Sequence, residues 1–213
     1  LDVLVNNAGI GVFGVAEELR FEEIQRVMET NFFGAVRLTQ AFLPHLRASG
    51  GGAIAFMSSW MGRVPLAGML TYACSKAALE TFAETLAQEV LRFGVRVYIL
   101  EPGYARTPMH GKAPRYELPE DTPYADLYRN WKAHWRVGYR NPTLPDAVSE
   151  ALFRAIEEAD PALRIVVGDD ARQWIDARER ASDELWREAG QPRELADFLA
   201  WAERVYGPGL FRG

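Results

Sequence analysis

The sequence predicts an α/β protein built on a doubly wound parallel sheet with helices on both faces. Short apolar runs alternate with longer segments whose apolar residues recur at helical spacing, which is typical of a parallel sheet with helical crossovers. Glycines and prolines follow several of these runs, where strands give way to turns. The predicted strands are Leu1 to Val5, Ala53 to Met57, Val95 to Leu100 and Leu163 to Val167. No linker-like stretch separates them, so we expect one domain over residues 1–213.

Helices are predicted between and beyond the strands from apolar periodicity and from their end signals. The first covers about 21–46, with Pro44 distorting its last turn, and the second covers about 72–93, closed by Gly94. A third covers 146–158 behind Pro145, and a polar helical region continues to about residue 205. The segment 104–143 is aromatic, and its prolines and glycines predict an irregular chain.

The composition excludes several classes of function. A net charge of −5 offers no basic surface for nucleic acid, and no apolar run approaches the ~20 residues of a membrane span, so we expect neither as a partner. The single cysteine, Cys74, excludes an internal disulfide framework and is typical of a reducing compartment, here the cytoplasm. His45, His110 and His134 have no metal-site spacing, and we expect no bound metal.

Tyr72 and Lys76 lie one helical turn apart at the start of the second helix. The spacing alone is a weak signal, since Tyr128 and Lys132 repeat it, and there we expect two solvent-facing side chains. Around Tyr72 the context is richer. Ser59 lies thirteen residues earlier, at the end of a predicted buried strand, without the Gly-x-Ser-x-Gly elbow of a serine hydrolase.

Five motifs in order resemble the short-chain dehydrogenase/reductase family, in its single-domain, non-extended branch. They are Asn6-Asn7-Ala8-Gly9 after a strand, Asn31 in Asn-Phe-Phe-Gly, Ser58-Ser59 with Gly62, Tyr72-x-x-x-Lys76, and Pro102-Gly103 with Thr107. The resemblance runs from the first residue to about residue 167. It implies a Rossmann-like fold and a hydride transfer between NAD or NADP and a small-molecule alcohol or carbonyl compound.

The resemblance also implies a role for each motif residue. Tyr72 is the general acid and base, Lys76 also holds the nicotinamide ribose, Ser59 holds the substrate oxygen, and Asn31 anchors a water in the proton relay. The expected cofactor contacts are Asn7, Ala8, Gly9, Tyr72, Lys76, Pro102, Gly103 and Thr107. The expected substrate contacts are Ser59, Trp60, Tyr72 and Tyr104, beneath a lid formed by 104–143.

Elementary chemistry agrees with the role of the tyrosine. A carbonyl that accepts a hydride needs a proton donor, and an alcohol that gives one needs a base. Free tyrosine has a pKa of about 10, which a cation one turn away lowers. A decrease of ~3 units requires about 4 kcal/mol, which we expect Lys76 and a positively charged oxidised nicotinamide to share.

No glycine-rich phosphate-binding turn follows any predicted strand, and "GIGVFG" at 9–14 lies in the later Asn-Asn-Ala-Gly turn. In the family, three strand–helix units precede the strand at Leu1, so we expect an N-terminally truncated chain lacking roughly 75 residues. Those residues would select NAD or NADP. We therefore expect the 213-residue chain alone to bind either cofactor poorly.

Three functional interpretations follow. The leading one is an oxidoreductase acting on a bulky, apolar secondary alcohol or ketone, because the lid and Trp60 supply aromatic walls. The second is a catalytically silent fragment or scaffold without nucleotide binding, and the third is an NAD-dependent epimerase or dehydratase. The resemblance further implies a homodimer or homotetramer formed through the two long helices. Apolar residues on more than one helix face are consistent with this pairing: Phe32, Phe33, Val36, Phe82, Leu86 and Val90.

Overall fold

The computed structural model describes residues 1–107, 121–158, 162–191 and 194–208. In these ranges one parallel sheet has the strand order β1-β2-β3-β4. The strands are β1 (Val3–Asn6), β2 (Gly52–Met57), β3 (Val95–Pro102) and β4 (Arg164–Val167). All four predicted strands are therefore confirmed. β1 pairs with β2 on one side, and no other described strand pairs with it.

The helices follow the predicted alternation. The two long helical regions are α1 (Phe21–Met28) joined by a π-helical turn (Glu29–Phe33) to α2 (Gly34–Ala48), and α3 (Leu70–Val90). Gly94 adopts the left-handed conformation, φ 70°, after a short 3₁₀ turn that ends α3, as expected of a C-terminal glycine. The remaining helices are α4 (Ala125–Gly138), α5 (Pro145–Glu157), α6 (Asp169–Arg180), α7 (Asp183–Arg187) and α8 (Leu195–Tyr206). None of the described helices is long and apolar enough to cross a membrane.

Helices cover both faces of the sheet because successive strand side chains point in opposite directions. On one face, Ile54 and Phe56 of β2 pack in a cluster with Leu79 and Leu86 of α3. On the other face, small residues of β2 and the ring of Tyr98 pack against α5. The observed architecture confirms the predicted doubly wound α/β fold.

A further hydrophobic cluster lies outside these two layers. It joins Trp60 and Tyr104 to the C-terminal helices through Trp174 of α6 and Trp201 of α8. The C-terminal region, expected to be polar, thus buries several large rings. Its polar residues lie on the opposite helix faces, which is why composition alone concealed the buried side.

The prediction of an irregular segment over 104–143 is wrong in part. Ala125–Gly138 is a helix, and its prolines lie outside this span, so nothing interrupts the backbone hydrogen bonds. Aromatic residues recur at helical spacing within it, at Tyr128, Trp131 and Trp135. The stretch 108–120, which includes Tyr116, lies outside the described residues.

Tyr128 also differs from its prediction, because it is buried rather than solvent-facing. Its hydroxyl accepts the backbone N–H of Val15 at 3.1 Å and donates to Glu18 at 2.7 Å. Lys132, one turn later, is exposed as expected. The tyrosine of the repeated Tyr-x-x-x-Lys spacing therefore joins α4 to the loop after β1.

Candidate active site

A cavity of about 330 Å³ lies at the carboxyl ends of β1, β2 and β3. In parallel α/β sheets the loops that leave this edge form the ligand sites. The predicted site residues on the cavity wall are Asn7, Ser59, Trp60, Tyr72, Lys76, Pro102, Gly103, Tyr104 and Thr107. Residues more than 90 positions apart in the chain thus meet at one site, as the motifs implied.

The local backbone aims Ser59 and Tyr72 at one another. Ser59 follows β2 in an extended conformation and caps a 3₁₀ turn, where its Oγ accepts the backbone N–H of Met61 at 3.3 Å. Tyr72 lies in the first turn of α3, and its phenol lies near enough to the Ser59 side chain for Ser59 to lower the pKa of Tyr72. The two hydroxyl groups predicted to act on one substrate oxygen are therefore neighbours.

Lys76 lies one turn deeper in α3 and is 2% exposed. Its Nζ donates to the carbonyl oxygen of Met57 at 2.6 Å and lies 5.5 Å from the centre of the Tyr72 ring. Burial lowers the pKa of Lys76 to about 8, while the charge of Glu80 opposes part of that decrease. The ammonium group is thus enclosed beside the phenol.

The sequence predicted a lowered pKa for Tyr72, and the structure gives the opposite direction. Burial raises the pKa of Tyr72 to about 12, and the Ser59 side chain opposes part of the rise. Removal of the phenolate from water outweighs the effect of the lysine, whose ammonium is directed at a backbone carbonyl. In its own protein environment the phenol of Tyr72 is therefore protonated at physiological pH.

Asn31 lies in the π-helical turn between α1 and α2, a distortion that often marks functional sites. Its buried amide accepts the N–H of Ile10 at 2.8 Å and donates to the carbonyl of Ile10 and to Ser75 Oγ, each at 2.9 Å. The side chain thereby joins the loop after β1 to α3. It is not part of the described cavity wall, and its role in a water relay stays a prediction.

The expected cofactor contacts divide into two groups. Asn7, Pro102, Gly103 and Thr107 line the cavity, whereas Ala8 and Gly9 do not. The turn at Gly103 is tied to β4 by a hydrogen bond from its N–H to the carbonyl of Val167, at 2.9 Å.

The wall of the cavity is mainly apolar. Trp60 and Tyr104 line it as predicted, with ring centres 5.6 Å apart. Trp135 of the predicted lid also lines it, and further walls that sequence reasoning did not assign to the site come from Gly11, Phe13 and Met69. The signal for Phe13 was its place four residues after the Asn-Asn-Ala-Gly turn, at the same sheet edge.

Charge is nearly absent from this wall. Among the described lining residues, Lys76 has the one charged side chain. No group of three His, Cys, Asp or Glu side chains in the described ranges is arranged to hold a metal ion. The described site can therefore donate and accept protons through hydroxyl groups beside an ammonium.

Comparison with known proteins places the chain in a family. A family model described as short chain dehydrogenase matches residues 1–117. Bovine retinol dehydrogenase 8 is 37% identical over 173 residues, which cover 77% of this chain and 55% of that protein. The chain therefore spans little more than half the length of this relative.

Solved structures agree. A short-chain dehydrogenase from Streptomyces avermitilis gives a TM-score of 0.76 at 33% identity, covering 98% of this chain and 71% of that one. A short chain dehydrogenase from Burkholderia cenocepacia J2315, in complex with NADP, gives a TM-score of 0.69 at 25% identity, covering 90% and 70%. With the family model matching more than half of its residues, this chain belongs to the short-chain dehydrogenase family.

Proposed function

We propose that the protein is an NAD(P)-dependent oxidoreductase that acts on a secondary alcohol or ketone with a bulky apolar body. The observation that carries this proposal is that Tyr72 and Ser59 line one largely apolar cavity together with the buried ammonium of Lys76. When bound, NAD(P) supplies or accepts the hydride. Membership of the family and the NADP complex of the Burkholderia relative support this cofactor.

The residues present fit the nicotinamide end of such a cofactor. Lys76 offers an ammonium, Thr107 a hydroxyl and Asn7 an amide on the cavity wall, and the Gly103 backbone lies on the same wall. These four residues would hold the nicotinamide and its ribose. No described residue decides between NAD and NADP.

The chain's own groups divide the proton chemistry between them. Ser59 would orient and polarise the substrate oxygen, and Tyr72 would donate the proton to that oxygen during reduction or remove it during oxidation. A phenol with a pKa of about 12 is protonated at neutral pH, which is the form that carbonyl reduction requires. Lys76 would favour the negative charge left on the phenol, because opposite charges attract strongly in an enclosed site.

The cavity wall supports an apolar substrate. Rings and thioethers bury large areas with few polar demands, and 330 Å³ is within the range of small-molecule pockets. The name of the bovine relative gives retinol as its substrate, an alcohol with a ring and a long apolar chain. We further propose that residues 1–213 belong to one domain whose segment 104–143 forms the lid. Tyr104, Thr107 and Trp135, at its described ends and in α4, support this by lining the cavity.

A panel of alcohols and ketones tests the proposal on the intact protein with NADH and NADPH and their oxidised forms. We expect higher kcat/KM for ring-containing or long-chain compounds than for three- or four-carbon ones, up to ~0.8 kcal/mol for each further buried methylene. Phe13→Ala should lower kcat/KM for bulky substrates and leave short ones unchanged. Phe153→Ala, an exposed phenylalanine on α5, is the matched control. If small sugars or short hydroxy acids react best, the apolar assignment is wrong.

The same assay separates the alternative functions. An epimerase or dehydratase would change the substrate without net change in nicotinamide absorbance. A silent scaffold would bind neither cofactor. We expect the 213-residue chain alone to be inactive, so the assay requires the intact protein.

A further inference from the structure

A buried cluster of charged residues lies directly behind the catalytic groups. Glu101 of β3 is fully buried and Glu80 of α3 is 3% exposed. Arg164 of β4 lies between them, donating to Glu80 at 2.5 Å and also pairing with Glu101. We call these three residues the charged cluster. Three separate elements of the fold, α3, β3 and β4, are thus joined beneath the site.

The charged cluster contacts the segment 57–59 through Ser58. The Oγ of Ser58 donates to the second carboxylate oxygen of Glu80 at 2.5 Å. The residue before it, Met57, supplies the carbonyl that holds the Lys76 ammonium, and the residue after it is Ser59. Glu80 therefore fixes the middle residue of a three-residue segment whose two neighbours hold Lys76 and face Tyr72.

The glycine at position 62 is explained by the same carboxylate. A Cβ on Gly62 would overlap Glu80 Oε1 and approach Ser58 Oγ. Gly62 ends the 3₁₀ turn that Ser59 caps, so the turn can form only where the carboxylate has room beside it. Glu80 is thus in close contact with the Ser59 turn on one side and in the same helix as Lys76 on the other.

Stability alone does not account for such a cluster. Removing carboxylates from water costs several kcal/mol per ion, and apolar residues of similar volume often replace buried ion pairs without loss. Glu84, one turn later on α3, already gives Arg164 a solvent-accessible partner at 2.6 Å. The buried position of Glu80 adds the one contact that Glu84 cannot make, which is the hydrogen bond to Ser58.

We propose that Glu80 is a positioning residue of the active site, which holds Ser58, and through it the Met57 carbonyl and Ser59, in register with Lys76 and Tyr72. The inference rests on the proposed function, since it assigns a role toward the catalytic groups named there. It adds a residue outside the recognised motifs. Glu80 acts through its neighbours and does not line the described cavity.

The charge of Glu80 also acts on Lys76, four residues earlier in the same helix. Glu80 raises the pKa of Lys76 against the larger lowering caused by burial. The other groups around the pair are Tyr72 and Glu84 on α3, Glu101 on β3, Arg164 on β4, and Arg63 after the 3₁₀ turn. Of the described carboxylates around the pair, Glu80 is the one whose charge raises the pKa of Lys76, so removal of Glu80 shifts the lysine toward its neutral form.

Three variants separate position from charge. Glu80→Gln keeps the side-chain shape and removes the charge, Ser58→Ala removes the hydrogen bond and keeps the charge, and Glu84→Gln removes a partner of Arg164 without touching Ser58. The pKa of Lys76 is read from the NMR shift of its Cε across a pH titration. The 213-residue sequence has three lysines, at 76, 112 and 132, so Lys76→Arg assigns the signal. Steady-state kinetics and thermal unfolding complete the set.

We expect Glu80→Gln to lower the pKa of Lys76 by about one unit and to move the alkaline limb of the kcat profile by the same amount. Ser58→Ala should lower kcat about tenfold, with KM and the Lys76 pKa nearly unchanged. Glu84→Gln should leave both at wild-type values. If Glu80→Gln and Ser58→Ala lower only the unfolding temperature, with kcat and the Lys76 pKa as in wild type, the positioning role is wrong. The NMR titration needs no turnover, so it still tests the predicted interaction of Glu80 with Lys76 if the wild-type protein transfers no hydride. If Glu80→Gln does not fold, Ser58→Ala decides on kcat.

Discussion

The ammonium of Lys76 lies 5.5 Å from the centre of the Tyr72 ring while it donates to the Met57 carbonyl at 2.6 Å. The pKa values of the two side chains shift in opposite directions, because burial disfavours the charged form of each. The pKa of Tyr72 rises to about 12 and that of Lys76 falls to about 8. A protonated phenol and an ammonium group with a lowered pKa thus share one enclosed site. The first two predictions follow from this pairing.

Tyr72→Phe should remove nearly all hydride transfer in the intact protein and leave cofactor binding largely intact. The hydroxyl group transfers the proton, whereas the ring that remains still fills its place in the wall. We expect a kcat loss of about 10²- to 10⁴-fold, measured with the best substrate of the panel. Tyr98→Phe, a buried tyrosine whose hydroxyl donates to a backbone carbonyl near α5, is the matched control. Retention of more than about a tenth of kcat, a loss of only ~1.4 kcal/mol, would rule out Tyr72 as the acid and base.

Lys76→Met should stabilise the fold near neutral pH although it removes activity. The pKa of Lys76 falls from 10.5 to about 8 on folding, so the native state binds fewer protons than the unfolded state between these values and unfolding becomes harder as pH rises. The buried ammonium therefore costs roughly 3 kcal/mol below pH 8. Loss of the hydrogen bond to Met57 destabilises the variant by about 1 kcal/mol, so we expect its free energy of unfolding to be higher by about 2 kcal/mol in total.

Urea unfolding of both proteins at pH 7 and near pH 10 measures this difference. The gain should shrink at the higher pH, where the wild-type lysine is neutral in the folded state. Measurements should stop near pH 10, because the raised pKa of Tyr72 makes stability fall as pH increases beyond it. An equal destabilisation of the variant at both pH values would contradict the prediction.

Local patterns predicted much of this molecule. The four strands begin and end within two residues of their predicted bounds. Their signal is local, because an apolar run bounded by glycine or proline can be recognised from adjacent residues alone. The grouping of Ser59, Tyr72 and Lys76 was also foreseeable, since the carboxyl ends of parallel strands meet at one edge. Helix α4 escaped prediction because the prolines that flank it were taken to interrupt the whole segment.

Contacts between distant positions were not predictable in the same way. Arg164 meets Glu80 across 84 positions and Glu101 across 63, and no periodicity relates the three. The raised pKa of Tyr72 was missed for a related reason. Residue spacing indicates that a cation is near, but the degree of burial depends on the packed cavity around the phenol.

We predict that the intact protein forms a homodimer or homotetramer through α2 and α3. Leu86 and Val90, which the sequence suggested for such a surface, face the sheet instead. Phe33 and Leu38, at 42% and 47% exposed, remain apolar and accessible near and on α2. Light scattering at micromolar concentration should give a multiple of the chain mass, and Leu38→Glu should reduce it. Phe153→Glu, which also replaces an exposed apolar residue with a charged one but lies on α5, is the control. A monomeric wild-type mass would contradict the prediction.

Asp170 should hold the Pro-Gly turn of the candidate cofactor site from the start of α6. Its carboxylate accepts the backbone N–H of Tyr104 at 2.7 Å, and a Cβ on Gly103 would overlap the same oxygens. Burial raises the pKa of Asp170, and hydrogen bonds from three backbone N–H groups oppose the rise. The turn thus depends on a residue far along the chain rather than on its own sequence.

Asp170→Ala should lower the free energy of unfolding by about 2 kcal/mol, the typical effect of a hydrogen bond to a charged group, and weaken NAD(P)H binding in the intact protein. Asp169→Ala is the matched control, because this exposed neighbour shares the first turn of α6 and contributes to the helix dipole by only ~0.5 kcal/mol. Urea unfolding and fluorescence titration of the cofactor measure the two effects. The dipole affects both aspartates alike, so only a difference between the variants reports the contact with Tyr104. Equal losses in the two variants would mean that Asp170 supports α6 and not the turn.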